Sequence, residues 1–188
     1  MTLPTAITAS RIFLSPVFVL ILFAGASDGL PIPRSWLAVL WLLYAAIELS
    51  DLLDGWVARR TGTESEFGRV FDPFADVAAR LAYFVGITAR GLLPLAPVLI
   101  ILYRELGMLF LRGVLARKGT IMGAAWFGKA KTVGYAITAG LVLASLGFPG
   151  SPRFAAGLAD AATIAAWVSA AAAVTSFGAY LRMSSRAT

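Results

Sequence analysis

The sequence predicts an all-α membrane protein: a single domain over residues 1–188, with six transmembrane helices preceded by a short interfacial N-terminal helix. Three observations lead there. Hydrophobic residues make up 59% of the chain and mean hydropathy is +0.82, which is too apolar for a water-soluble domain. Apolar runs recur at about the ~20 residues needed to cross ~30 Å of hydrocarbon. The basic residues gather in the breaks on one side of those runs, as they do in the cytosolic loops of membrane proteins.

The elements follow in order. Residues 1–9, MTLPTAITA, are too short to span; Pro4 can start a helix, and the stretch is read as lying along the interface. FAGAS at 23–27 looks like a signal-cleavage site, but no basic region precedes the apolar run and Arg11 is the first charge. Residues 1–26 are therefore read as part of the mature fold. The apolar segments fall at about 10–26, 35–59, 67–90, 93–116, 126–147 and 156–182. Their breaks, SDGLPIPR, RTGTESE, RGLLP, RKGTIMG and GFPGSPR, carry the Gly, Pro and Ser of turns. Lys129 and Lys131 lie in the first turns of segment five. Segment six is rich in alanine, and small side chains let helices approach closely, which suits a bundle core or a homodimer seam.

Charge sets the orientation. With the N-terminus in the cytosol, only Arg34, Arg90 and Arg153 of the 16 basic residues fall on the far side, while Arg80 and Arg104 lie inside segments. Both termini and the turn between segments two and three are then cytosolic. Because the basic residues sit between apolar segments, the net charge of +6 reflects topology and contact with anionic lipid or substrate, and no nucleic-acid partner is expected.

Composition also limits the chemistry. There is no Cys and no His, so thiolate and imidazole catalysis are excluded. Catalysis has to rest on carboxylates, Lys, Arg, Tyr or hydroxyls. A metal site has to be oxygen-rich, which favours Mg²⁺ or Mn²⁺.

The stretch ELSDLLDGWVARRTGTESEFGRVFDPFADVAAR, residues 48–80, breaks the apolar pattern most sharply. Asp51 and Asp54 share one helix face, and so do Asp72 and Asp76. A short turn makes the two arms antiparallel. Counted from its centre, Asp51 lies level with Asp76 and Asp54 with Asp72, so all four can converge just inside the cytosolic interface. One carboxylate in a bilayer helix costs roughly 2.5–3.5 kcal/mol, and two like charges 4 Å apart cost about 4 kcal/mol more at an effective dielectric of 20. Divalent cations between the carboxylates remove both costs, and two ions about 3.5–4 Å apart are the usual arrangement in phosphoryl transfer. Gly55 and Ala58 keep the helix surface low beside the carboxylates, and Gly68 opens the second arm where a side chain would crowd the pocket. Arg59 suits phosphate oxygens, and Pro73 lies where it can bend the second arm. Glu48 and Arg80, one turn deeper, read as a structural ion pair on the pocket floor.

These residues resemble the signature of the CDP-alcohol phosphotransferase family, D-x2-D-G-x2-A-R-x8-G-x3-D-x3-D. The matching positions are Asp51, Asp54, Gly55, Ala58, Arg59, Gly68, Asp72 and Asp76, with every spacing intact. The resemblance implies six membrane helices after a short interfacial one. It also implies an activity: a CDP-linked donor, usually CDP-diacylglycerol, gives its phosphatidyl group to an alcohol and CMP leaves. By that analogy Asp51, Asp54 and Asp72 hold two divalent ions, Mg²⁺ or Mn²⁺, while Asp76 also touches metal and takes the proton of the attacking hydroxyl. Gly55, Ala58, Arg59 and Gly68 then form the nucleotide side. Within the family the chain is similar to the bacterial phosphatidylglycerophosphate synthases in its opening LPTAITASRIFLSPVF, in DPFAD, and in Arg104-Glu105 followed by WFGKAKT. The likeness implies a bacterial inner-membrane enzyme whose site faces the cytosol. Where those enzymes usually carry Asn and Lys this chain has Thr5 and Val77, so the acceptor stays open between glycerol 3-phosphate, inositol phosphate, serine and another polar alcohol.

A small anionic alcohol needs a basic pocket. Arg112, Lys129 and Lys131 fall at the cytosolic ends of segments four and five, and Arg104 lies deeper. An acceptor role for Arg112, Lys129 and Lys131 is weighed evenly against positive-inside topology, and one for Arg104 against a structural pair. Glu105 points about 100° from Arg104 on an ideal helix, so it need not cancel that charge. A cation transporter with an acidic site is the alternative from another class, although such sites usually lie at broken helices near the bilayer centre.

Overall fold

Apolar runs closed by Gly, Pro and Ser leave the backbone little choice in hydrocarbon, because only a helix satisfies its own polar groups. The computed structural model describes residues 3–25, 32–61, 66–117 and 126–185; within these, the side chains of 3–5, 51–61, 66, 67, 69, 116, 117, 126–130 and 183–185 lie outside the description. Among the described residues there are six α-helices and no strand: α1 (Leu3–Ala24), α2 (Arg34–Thr61), α3 (Glu66–Ala89), α4 (Leu95–Arg117), α5 (Trp126–Leu146) and α6 (Pro152–Ser185).

Two boundaries differ from the sequence reading by more than three residues. The separate interfacial helix does not exist: α1 runs unbroken from Leu3, because nothing between Pro4 and Arg11 interrupts helical hydrogen bonding. The second is at α6, which starts at Pro152, four residues before the segment read from hydropathy. Proline is favoured in the first helical turn, where its missing N–H is not needed. The end of α3 is a local matter. Gly91 takes a left-handed φ of 70°. Its N–H donates to the Thr88 carbonyl at 2.8 Å, and the Leu92 N–H donates to Ile87 at 3.1 Å. This is the doubled cap that glycine accommodates without strain.

The helices close a ring of contacts: α1 packs on α2 and α3, α3 on α4, α4 on α6, α6 on α5, and α5 back on α2. The most extensive pairing is α5 with α6, and Ala162, Ala166, Ala170 and Ala173 explain it. They line one face of α6 at helical spacing and are fully buried, so this part of the alanine-rich run serves the bundle core. The interior is aromatic. Tyr83 packs against Phe18 and Tyr44, each at 6.3 Å between ring centroids, and Phe84 meets Tyr135 edge-on at 5.9 Å. The Tyr44 hydroxyl donates to the Ala136 carbonyl at 2.6 Å and ties α2 to α5.

α1 and α3 run parallel and in register: Arg11 lies by Asp76, Phe18 by Tyr83, and Val19 by Gly86. A Cβ at Gly86 would stand 2.8 Å from Val19 Cγ2, and a β-branched valine has little freedom to yield. Gly86→Ala is therefore expected to lower stability by about 1–3 kcal/mol, read as a lower Tm in detergent. An unchanged Tm would show that the α1–α3 contact is looser than this register implies.

The outside is as apolar as the inside. Phe13 and Leu20 on α1, Leu42 on α2, Val85 on α3, Phe110 on α4, Ile137 on α5, and Ile164 and Val168 on α6 are all exposed. Water-soluble monomers rarely expose such a continuous apolar surface, whereas hydrocarbon accepts one. By length and apolarity two helices among the described residues qualify as membrane spans, Ala6–Ala24 and Pro152–Arg182. α2 to α5 carry the charged residues considered next.

Candidate active site

α3 supplies the best-described wall of the site. Gly68 is buried in its first turn, and Asp72 and Asp76 follow one turn apart on the same face. The helix continues through Pro73. Asp76 is held from two sides. Arg80, four residues on, grips it with both terminal nitrogens at 2.7 Å, and Arg11 of α1 approaches at 3.6 Å. Both guanidinium groups are deeply buried, while the Asp76 side chain keeps 27% of its surface exposed. A paired fork of this kind fixes the carboxylate plane.

Arg11 was not foreseen as a site residue, since its charge was ascribed to topology. Its side chain is 2% exposed and among the largest fully buried ones. The signal was present: Arg11 is flanked by apolar residues on both sides, and an arginine inside an apolar run is a functional candidate by default. Arg80, expected to pair with Glu48, lines one cavity with it, and its fork closes on Asp76, because residues four apart on a helix are neighbours. Glu48 accepts a hydrogen bond from the Tyr83 hydroxyl at 3.1 Å. Arg11, Ile47, Glu48, Asp76, Ala79 and Arg80 together line a small cavity, with room for about one water molecule. α2 and α3 therefore meet at the level where the hairpin reading sets Glu48 against Arg80.

Asp72 differs from Asp76. Its Oδ1 is buried and accepts no hydrogen bond among the described residues. A buried carboxylate oxygen without a donor is costly, and a cation bound there removes that cost. The donor set, hard carboxylate oxygens with no nitrogen or sulfur beside them, fits Mg²⁺ or Mn²⁺. A divalent ion reaching Asp76 has to share its oxygens with the Arg80 fork. Asp51, Asp54, Gly55, Ala58 and Arg59 lie in α2, but their side chains are outside the described residues. Among the described residues no group of three acids forms, since only Asp72 and Asp76 of the quartet are included.

A second charged cluster joins α4, α5 and α6. Arg104 Nη1 donates to Glu105 Oε1 at 2.9 Å, Arg104 Nη2 to Ser176 Oγ at 2.9 Å, and Arg104 Nε to the Ala173 carbonyl at 3.3 Å. The Lys131 ammonium donates to the same Glu105 oxygen, as does the Tyr135 hydroxyl at 3.0 Å. Arg104 and Glu105 thus pair: a 100° offset at Cβ does not stop a long guanidinium from folding back over one residue. Of the four basic acceptor candidates, Arg104 and Lys131 converge on Glu105. Arg112 is exposed about two turns further along α4, and the Lys129 side chain lies outside the described residues. The two clusters are neighbours: the Phe84 and Tyr135 rings touch between them.

Comparison with known proteins gives the family. A relative from Treponema pallidum, named a CDP-diacylglycerol--glycerol-3-phosphate 3-phosphatidyltransferase, is 46% identical over 105 residues, 56% of this chain and 47% of the relative. A probable phosphatidylglycerophosphate synthase of Mycobacterium tuberculosis is 35% identical over 147 residues, 78% of this chain and 68% of the relative. A CMP-forming cardiolipin synthase of Streptomyces coelicolor is 35% identical over 119 residues, 63% of this chain and 54% of the relative. The chain thus spans about half the length of the first and third and about two thirds of the second. The family model for CDP-alcohol phosphatidyltransferase matches residues 1–178, nearly the whole helical bundle with both charged clusters. The chain belongs to the CDP-alcohol phosphatidyltransferase family, a membrane-associated family.

Proposed function

We propose that this chain is an integral membrane phosphatidyltransferase that moves the phosphatidyl group of CDP-diacylglycerol to glycerol 3-phosphate, forming phosphatidylglycerol phosphate and releasing CMP. One observation carries the reading: a buried Asp72 oxygen with no donor among the described residues lies one turn from a carboxylate paired with two guanidinium groups, inside the stretch matched by the family model. The family membership and the names of the Treponema and mycobacterial relatives support the donor and acceptor.

Asp51, Asp54, Asp72 and Asp76 are the residues to hold two divalent ions, Mg²⁺ or Mn²⁺. When bound, the ions neutralise the donor's diphosphate and stabilise the charge that builds on its oxygens. Gly55, Ala58, Arg59 and Gly68 form the nucleotide side. A carboxylate oxygen of Asp76 accepts the proton of the acceptor hydroxyl, in a chain with no histidine to do so. The hydroxyl oxygen then bonds to the phosphatidyl phosphorus. The bond from that phosphorus to the oxygen bridging to CMP breaks, and CMP leaves with the electron pair. Arg80 and Arg11 keep the Asp76 carboxylate in one orientation. Lys131 meets the phosphate of the acceptor, with Arg104 beside it and Arg112 and Lys129 toward the cytosolic rim.

The six helices cross the bacterial cytoplasmic membrane, with lipid tails against the exposed apolar surface. The basic ends, and with them the site, face the cytosol. The likeness to a cardiolipin synthase makes the same chemistry on another alcohol the second reading. Full-length protein in nanodiscs with CDP-diacylglycerol and Mg²⁺ or Mn²⁺ is expected to release CMP with glycerol 3-phosphate, and to stop on chelation. CMP release only with inositol phosphate, serine or a lipid alcohol would reassign the acceptor. Cation flux in liposomes without CMP release would replace the enzyme with a transporter.

A further inference from the structure

We propose that Glu105 is a positioning residue for the acceptor: its carboxylate holds Lys131 and Arg104 together and aims the Lys131 ammonium at the acceptor's anionic group. The inference rests on the phosphatidyltransferase reading above and extends it to a residue with no role so far.

A single oxygen, Glu105 Oε1, takes donors from Arg104, Lys131 and Tyr135. Their convergence joins α4 to α5, and Arg104 carries it on to α6 through Ser176 and Ala173. Arg104, Glu105 and Lys131 are all buried, with side chains at most 9% exposed. Two cations face one carboxylate, so the group carries a surplus positive charge. The two cations are not equivalent. Arg104 is anchored at three nitrogens, which makes it part of the scaffold. Lys131 has Glu105 and, 5.6 Å away, the ring of Tyr135. An ammonium has three donors; among the described residues one is engaged, by Glu105, which leaves the surplus charge with donors to give to an anion.

A lysine on a four-carbon stem holds no fixed position by itself, and a buried guanidinium next to it would push it away. Glu105 reverses that repulsion. Its place is also suited to the reaction, because Tyr135 touches Phe84 of α3, one turn beyond Arg80, which grips Asp76. A held ammonium on that side sets the distance between the acceptor's phosphate and the hydroxyl presented to Asp76.

The test compares wild type, Glu105→Gln, Glu105→Asp, Lys131→Met and the Glu105→Gln/Lys131→Met double variant in nanodiscs, by CMP release and thermal unfolding. The expected result is a KM for glycerol 3-phosphate raised about tenfold or more in Glu105→Gln, with the KM for CDP-diacylglycerol unchanged. Glu105→Asp should recover part of the loss, and the double variant should be no worse than Lys131→Met. An unchanged acceptor KM, equal loss for both substrates, or additive losses in the double variant would overturn the proposal. So would failure of both Glu105 variants to fold, which would make the residue purely structural. Wild type that releases no CMP in response to glycerol 3-phosphate would instead remove the underlying reading, and this inference with it.

Discussion

Asp76→Asn is expected to lower CMP release by about 10²–10⁴-fold, the usual worth of a positioned general base, while donor binding is largely retained. Asparagine keeps the shape of the side chain, and its amide oxygen can still accept from Arg80 at the 2.7 Å contact. It cannot take a proton at neutral pH. Three carboxylates of the quartet remain for the metal ions, so CDP-diacylglycerol still has its diphosphate partners. The loss of charge beside two buried guanidinium groups should also cost about 1–3 kcal/mol of stability, the range for hydrogen bonds to charged groups. Turnover, donor affinity and Tm measured on one preparation separate the possibilities. If turnover and donor binding fall together, Asp76 is a ligand or a strut and not the base.

Asp72→Asn should act on metal affinity with the opposite sign on stability. Its buried Oδ1 accepts nothing among the described residues, so an amide there forfeits no hydrogen bond. One negative charge is removed a single turn from Asp76, and like charges at that spacing destabilise a helix by about 0.2–0.5 kcal/mol. The metal-free variant should therefore be as stable as wild type or slightly more so. Mn²⁺ binding should weaken by about 100-fold or more, since loss of even an outer-shell partner costs about 10–100-fold. Electron paramagnetic resonance titration of the metal-stripped protein reads the affinity, and thermal unfolding in chelator reads the stability. Unchanged Mn²⁺ binding would remove Asp72 from the ligand set.

Much of this molecule was legible from its residues. Hydrophobic runs and their Gly, Pro and Ser breaks located the helices, because a chain of this apolarity has one way to satisfy its backbone. The spacing of Asp72 and Asp76 placed them on one face without reference to any other helix. The boundaries that went astray did so for local reasons, such as the proline that opens α6 and the uninterrupted hydrogen bonding that extends α1 back to Leu3. Side-chain partners were harder. Arg11 was assigned to topology, but in the structure it reaches Asp76. That contact requires α1 and α3 to lie parallel in one register, and no local pattern contains it. Arg80, paired by depth with Glu48, lines one cavity with it, and its fork closes on a carboxylate of its own helix.

The order of residues alone therefore determined the helical class and pointed to an acidic hairpin of oxygen-only chemistry, since periodicity, hydropathy and the absence of His and Cys act within a few residues of chain. The pairs Arg80–Asp76 and Arg104–Glu105 are local too, whereas only the tertiary arrangement brought Arg11 to Asp76 and Lys131 to Glu105. Long charged side chains reach several ångströms from their backbone and settle wherever a buried opposite charge lowers their energy most. That choice depends on how neighbouring helices are packed.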